Sequence, residues 1–166
     1  MNAEALDYLR RHSGLSLSAE GVFYFHGEIV PNTRVQALFH AGLEVRSDGD
    51  VTLTVGSQWA YVACDGVARF IDSVGVSDEG LVLTVRGRGR SVITDPILGV
   101  GPDERFYLWE GESGLPAVLT RTAHQQVAGL LSESVAGQLT LMLAGREVPV
   151  ITLRRNPRAH EAFDNP

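Results

Sequence analysis

Three arginines at alternate positions are the residues of this sequence best suited to chemistry. They stand in the run Arg86-Gly87-Arg88-Gly89-Arg90, where a spacing of two can place all three on one face of a hairpin. A guanidinium group offers a planar fork of N–H donors to a carboxylate or phosphate, and glycine lets an anion approach the backbone. The run therefore predicts an anion-binding surface, although a solvated hairpin tip with glycine turns has the same pattern.

Other reactive side chains lack the partners that their chemistry requires. The pair His26-x-Glu28 resembles the start of a zinc-deaminase signature, but the Pro-Cys-x-x-Cys that this chemistry needs is absent. Cys64 ends an apolar run, which favours a core residue over a nucleophile. The sequence has no Gly-x-Ser-x-Gly elbow and no glycine-rich phosphate loop followed by a helix. We therefore expect no catalytic residue, no metal and no cofactor.

Composition and charge limit the classes of function. The chain has 166 residues, a net charge of −6 and 44% hydrophobic residues, which suits a globular protein. All 14 basic residues are arginine, which excludes Schiff-base chemistry by lysine. The negative charge argues against general nucleic-acid binding and against adsorption to an anionic membrane. No signal peptide is evident and no apolar run approaches the ~18 residues that span a bilayer, so we expect a cytoplasmic location.

Periodicity and turn residues predict the elements. Residues 1–20 are expected to hold a short helix and a linker. Asn32 is a suitable N-cap and Gly42 a suitable end for an amphipathic helix between them. Short runs separated by Asp-Gly and glycine-rich turns then predict an antiparallel meander as far as Thr94. Residues 99–104 mark a boundary, and residues 154–166, with two prolines and no periodicity, are expected to form a loosely ordered tail.

The order of predicted elements occurs twice. Each series consists of an aromatic strand, an amphipathic run and an apolar strand; their residues are 23–26, 33–41 and 51–55 in the first series and 106–110, 122–133 and 139–143 in the second. Two similar units that pack together leave a cleft between them, and such clefts commonly bind ligands. The sequence thus predicts an α+β fold with two β-rich halves, 21–98 and 99–153, each with a strand, a helix and antiparallel strands around a shared seam.

A set of scattered positions carries a family resemblance. These positions are Gly27, Leu38-Phe39, Asp48-Gly49, Thr54, Trp59 and Asp65, followed by Arg121, Gly145 and Pro149. On these residues the chain resembles the bacterial domain-of-unknown-function family twelve-eighty-five. It departs at Cys64, where the family usually has glutamate, and at Thr54-Val55, where the family usually has Thr-Pro. The resemblance implies a duplicated α+β core whose second half is similar to a pleckstrin-homology fold, and sensing of a small molecule or nucleotide at the seam.

These features predict a non-enzymatic ligand-binding or signalling module. An anionic or nucleotide-like small molecule is expected at the seam, with Trp59 as a stacking surface, Arg121 as a charge partner, and help from one or more of Arg86, Arg88 and Arg90. The alternative is a protein–protein interaction adaptor that uses an exposed sheet edge or the seam, without a small ligand. A third possibility is a hydrolase or transferase whose residues meet only in the fold.

Overall fold

The computed structural model describes residues 1–164, and within them the chain forms three helices and sixteen strands. The helices are α1 (Ala3–Arg11), α2 (Thr33–Gly42) and α3 (Arg121–Leu130). The strands are β1 (Leu15–Leu17), β2 (Phe23–Phe25), β3 (Glu28–Ile29), β4 (Leu43–Val45), β5 (Val51–Val55), β6 (Gln58–Tyr61), β7 (Ala63–Cys64), β8 (Arg69–Val76), β9 (Leu81–Val85), β10 (Gly89–Ile93), β11 (Pro96–Val100), β12 (Phe106–Glu110), β13 (Ala117–Leu119), β14 (Leu131–Glu133), β15 (Leu139–Leu143) and β16 (Arg146–Thr152). This content confirms the predicted α+β class. Among residues 1–164, no helix combines the length and the apolar character that a membrane crossing needs.

The described strands form three sheets. A four-stranded sheet has the order β3-β2-β1-β7, a three-stranded sheet the order β4-β5-β6, and a nine-stranded sheet the order β10-β9-β8-β13-β12-β11-β16-β15-β14. Within the largest sheet, β8 pairs with β13 and β11 pairs with β16 in parallel, while its other neighbours are antiparallel. Strands β8–β10 therefore share a sheet with the second β-rich part, although local pattern placed them with the first half.

The order of strand pairings is the same in the two parts of the chain. In the first part β1, β2 and β3 pair antiparallel, α2 follows, and β4, β5 and β6 form a meander. In the second part β11, β12 and β13 pair antiparallel, α3 follows, and β14, β15 and β16 form a meander. The first strand also pairs in parallel with the last in each part, β1 with β7 and β11 with β16. This repetition supports an internal duplication, which stays a prediction.

Two hydrophobic cores lie on either side of the point where these parts meet. The first core consists of buried side chains that include residues of β1, β2, β4, β5 and β8. Phe23 and Phe70 are among the largest of these side chains. The second core lies between the nine-stranded sheet and α3, which buries Ala123 and Val127 against it. Tyr107 and Trp109 on β12 belong to the first core, whereas their neighbours Phe106 and Leu108 belong to the second. Strand β12 thus contributes its two faces to different cores.

Helix α2 begins and ends at residues with clear physical reasons. The side chain of Asn32 accepts hydrogen bonds from the backbone N–H groups of Arg34 (2.9 Å) and Val35 (3.3 Å), which caps the helix. At the other end, Gly42 packs directly on the backbone carbonyl oxygen of Thr54, and a Cβ at Gly42 would overlap that oxygen. The helix therefore stops against β5 without a connecting loop, and β4 begins at the next residue.

Two segments differ from what local pattern predicts. Leu15–Leu17, expected in a linker, forms the inner strand β1, and Leu17 is fully buried. The described part of the tail, residues 154–164, packs on the first core instead of lying loose: the Trp109 indole N–H donates to the Glu161 carbonyl oxygen (3.2 Å), and the Phe163 ring contacts the Trp109 ring at 5.3 Å between centroids. Residues 165–166 of the predicted tail lie outside the described residues.

Candidate functional site

An open groove of about 550 Å³ lies at the N-terminal end of α3. We call it the arginine groove, because three arginines from distant parts of the chain line it. Its lining residues are Glu20, Arg86, Asp103, Glu104, Arg105, Leu119, Thr120, Arg121 and His124. The groove thus joins the loop before β2, the end of β9, the loop before β12 and the start of α3.

Arg86 is held in a fixed position at one side of the groove. Its guanidinium group binds the Asp72 carboxylate in two places, Nη2 to Oδ1 at 2.7 Å and Nε to Oδ2 at 3.2 Å. The same group lies 5.5 Å from the centre of the Phe70 ring. A bidentate pair of this kind fixes direction as well as distance. Because Asp72 offsets the charge of Arg86, this residue contributes N–H donors to the groove more than net charge.

Arg105 and Asp103 are also tied to the protein. Arg105 Nη1 donates to the carbonyl oxygen of Ala19 (2.8 Å), which links the second part of the chain to the loop after β1. The Tyr107 hydroxyl donates to Asp103 Oδ2 (2.7 Å), and the Arg105 backbone N–H donates to Asp103 Oδ1 (3.2 Å). Burial, and secondly the Asp103 hydrogen bond, raise the pKa of Tyr107, so this phenol stays protonated and acts as a donor.

The start of α3 provides the least compensated positive charge in the groove. Thr120 is the N-cap residue, yet its side chain makes no capping hydrogen bond, and the first turn has no acidic residue. The first N–H groups of a helix then lack side-chain acceptors, and the helix dipole favours an anion there. The exposed Arg121 side chain forms no ion pair with any residue in 1–164. An anionic group in the groove would meet both features.

The structure separates the five residues that sequence analysis grouped together. Arg86 and Arg121 line the arginine groove, but Arg88 and Arg90 do not. Arg88 Nη2 donates to the carbonyl oxygen of Leu43, and Arg90 lies exposed on β10. Trp59 lies on β6, against the arginines of α1 and the β4–β5 loop. The fold therefore does not bring all five residues together in one site.

Gly87, the first glycine of the arginine run, packs closely against α2, whereas Gly89 faces open space. Gly87 has a φ of +75°, and a Cβ there would lie 2.5 Å from the backbone nitrogen of Ala41 in α2. The β9–β10 turn therefore approaches the end of α2 so closely that only glycine fits. This contact, invisible in the local sequence, directs Arg86 and Arg88 to different neighbours.

Sequence analysis missed Arg105 as a candidate. It follows directly after residues 99–104, which the sequence marks only as a boundary between the halves, so its position gives no reason to consider it. Its place in the groove depends on a hydrogen bond to Ala19, 86 residues earlier in the chain. No local signal in the sequence points to that contact.

A second cavity of about 600 Å³ adjoins the groove and shares Asp103 and Arg105 with it. We call it the polar cleft; its other walls come from the β4–β5 turn, β7 and residues 156–160. Cys64 and Asp65, the latter a position of the family resemblance, lie in this wall. Within residues 1–164, no group of three or more histidine, cysteine, aspartate or glutamate side chains is arranged to hold a metal ion.

Cys64 is partly buried at the edge of the first core. Its thiol contacts the carbonyl oxygens of Gly66 (3.4 Å) and Val67 (3.6 Å), and burial raises the pKa of the thiol. A raised pKa leaves little thiolate at neutral pH, which disfavours a nucleophilic role.

We expect Cys64→Ala to lower the free energy of unfolding by about 1 kcal/mol, the typical effect of one substitution. The native thiol should react slowly with iodoacetamide at pH 7 and rapidly after unfolding in urea. Rapid alkylation of the native protein would contradict this prediction and return Cys64 to the list of nucleophiles.

Comparison with known proteins rests on the fold. No family model and no curated protein matches the chain. A solved structure of a DUF1285 family protein from Silicibacter pomeroyi DSS-3 matches 84% of this chain and 80% of its own, with a TM-score of 0.63 and 17% identity. The chain has the DUF1285 fold. A DUF1285 family protein from Shewanella baltica OS155 also matches, over 70% of this chain and 91% of its own, with a TM-score of 0.52 and 16% identity.

The DUF1285 fold confirms the family resemblance and the α+β class with β-rich parts. The duplication and the pleckstrin-homology-like second half stay predictions. At 16–17% identity the two structures show a shared fold and nothing about a shared ligand. The function must therefore be argued from the side chains of this chain.

Proposed function

We propose that this chain is a non-enzymatic ligand-binding or signalling module that binds an anionic, nucleotide-like small molecule in the arginine groove. One observation carries the proposal: Arg86, Arg105 and Arg121 converge from separate segments on a groove that also contains the uncapped start of α3. The groove is lined by residues from both predicted halves, which supports a site at the seam. A volume of about 550 Å³ lies in the range of small-molecule sites, roughly 300–1,000 Å³.

The charges of the groove favour a ligand with both anionic and hydroxyl groups. Arg121 and the N–H groups at the start of α3 suit a phosphate or carboxylate. Glu20 and Glu104 line the same groove and suit hydrogen-bond donors such as sugar hydroxyls or an amine. A phosphorylated sugar or nucleotide carries both kinds of group. The polar cleft beside the groove offers room for a second part of the same ligand.

A thermal-shift screen with nucleotides and phosphorylated metabolites should identify a ligand, because a molecule that binds only the folded state raises the melting temperature. Calorimetric titration then tests the site. A charge-assisted hydrogen bond contributes about 1.5–3 kcal/mol, so Arg121→Ala should weaken binding ten- to a hundredfold or so.

Arg90→Ala is the matched control, since Arg90 belongs to the arginine run but lies outside the groove. It should leave the affinity unchanged. Equal loss in both variants would indicate a general effect of charge and would contradict the groove as the binding site.

An adaptor role is the second candidate, and an apolar surface near β3 favours it. Phe25 and Ile29 are 51% and 57% exposed and line a shallow groove together with Val30, Pro31 and Phe39. Exposed apolar patches of this kind often bind proteins. If the adaptor role is correct, Ile29→Asp should abolish capture of a partner while Arg121→Ala has no effect on it.

A further inference from the structure

The outer face of β6 carries a cluster of aromatic rings and arginines that the proposed function does not use. Trp59 and Tyr61 meet edge to face, with ring centroids 5.3 Å apart. Arg10 and Arg11 from α1 and Arg46 from the β4–β5 turn surround the two rings. We call these five residues the cation cluster.

The three guanidinium groups contact the same two rings. The Cζ atoms of Arg10 and Arg46 are 4.0 and 5.1 Å from the centre of the Trp59 ring. Arg11 and Arg46 both donate to the Tyr61 hydroxyl oxygen, Nη2 at 3.1 Å and Nη1 at 3.2 Å. Arg11 and Arg46 thus bring two positive charges to one oxygen atom, and the cation–π contacts offset only part of their repulsion.

Both carboxylates that form ion pairs in this cluster bind the same arginine. Arg11 pairs with Asp7 (3.0 Å) and with Asp50 (3.3 Å). Neither Arg10 nor Arg46 forms an ion pair with a carboxylate among residues 1–164. With three arginines and two carboxylates, the cluster has a net charge of +1, and the Arg10 and Arg46 guanidinium groups keep unused N–H donors.

The Tyr61 hydroxyl points to the kind of group that would complete the cluster. Its oxygen accepts two hydrogen bonds from arginines, and its own hydrogen has no acceptor within residues 1–164. A phenol in this position can donate to a third partner. Among two free guanidinium groups, that partner should be an anionic oxygen.

We propose that Arg10, Arg46 and the Tyr61 hydroxyl bind a phosphate group, either as the free ion or as a phosphate ester. The bound group would also hold α1 in place. No residue of α1 is buried, so the helix is attached to β6 chiefly through Arg10 and Arg11. A phosphate that bridges α1 and the β4–β5 turn would add charge-assisted bonds across this junction.

The test is calorimetric titration with inorganic phosphate and with phenyl phosphate at constant ionic strength. The full chain carries Arg121→Ala in every sample, so that the arginine groove does not contribute. We expect Arg46→Ala to weaken phosphate binding at least tenfold. Tyr61→Phe, which keeps the ring and removes only the hydroxyl, should weaken it severalfold. Arg34→Ala, an exposed arginine on α2 away from both sites, should have no effect.

Hydrogen exchange supplies a second measurement. In the chain that retains Arg46, phosphate should slow amide exchange in residues 3–11. In the Arg46→Ala variant, phosphate should leave that exchange unchanged. Equal affinity for the two probes would show that the site recognises the phosphate group itself. If phenyl phosphate binds more tightly and Trp59→Leu removes that difference, the site recognises an aromatic ester. Absence of binding at millimolar phosphate, or an equal loss in Arg34→Ala, would overturn the proposal.

Discussion

Phe70→Ala is expected to lower the free energy of unfolding by about 3–5 kcal/mol, the usual cost of removing a buried phenylalanine. Phe70 is 1% exposed and lies in the first core. It also sits on β8 opposite Val118 of β13, at one of the parallel contacts that join the nine-stranded sheet. Its ring packs against the His40 ring at 5.6 Å and beneath the Arg86 guanidinium at 5.5 Å. Loss of the ring should therefore leave a cavity, because the surrounding elements cannot all move inward to fill it.

Urea unfolding followed by circular dichroism measures this effect. Phe25→Ala is the matched control, because Phe25 is the same residue type on β2 of the four-stranded sheet but is 51% exposed. Its cost should be about 1 kcal/mol or less, in line with surface substitutions. Similar losses in the two variants would mean that Phe70 does not occupy the core position described above. Because the Arg86 guanidinium lies over this ring, Phe70→Ala should also lower the affinity of the arginine groove for any ligand.

Acidification from pH 7 to pH 5 is expected to destabilise the protein through His40. This ring is 3% exposed, and its Nε2 lies 2.8 Å from the carbonyl oxygen of Gly21. Burial lowers the pKa of His40, and the nearby positive charges of Arg86 and Arg69 lower it further, against the opposing effects of the Gly21 hydrogen bond and Asp72. The unfolded chain therefore binds a proton at about pH 6.5, before the folded chain does.

This order of protonation means that the free energy of unfolding falls as the pH is lowered. Above pH 6.5 the ring is neutral in both states and contributes no pH dependence. Below it, stability falls by up to about 1.4 kcal/mol per pH unit until the folded state is protonated as well. His40→Gln keeps a hydrogen-bond donor toward Gly21 but does not titrate. In urea unfolding between pH 7 and pH 5, the variant should lose less stability than the wild-type chain; an identical loss would show that His40 does not titrate in this window.

Local signals predicted the helices well. For α2, the cap at Asn32 and the glycine at Gly42 are both visible in the sequence, and the helix spans Thr33–Gly42 where residues 33–41 were expected. The α3 prediction extended too far, to residue 133, because Leu131–Glu133 continues the apolar pattern but forms β14. Periodicity alone does not separate the end of a helix from a strand that follows without a loop.

Short strands paired with distant segments were the main failure. Leu15–Leu17 has only three residues, and its register with β2 and β7 is set by tertiary contacts. Sequence analysis did not predict a strand at Pro96–Val100, which lies between β12, close in the chain, and β16, about fifty positions away. The same limit applies to the site. Arg121 was a suitable candidate, but which arginines would join it depended on contacts of Asp72, Ala19 and Leu43 that no spacing rule contains.

The order of the nine-stranded sheet has a consequence for how the chain folds. The sheet consists of three local meanders, β8–β10, β11–β13 and β14–β16, whose backbones are joined by the parallel pairs β8–β13 and β11–β16. Each meander can form from contacts close in sequence, whereas each parallel pair requires closure of a long loop before it gains any stability. Docking of preformed meanders should therefore limit the folding rate. Until it occurs, β8 and β11 present unpaired edges to other chains, and refolding yield should fall as protein concentration rises.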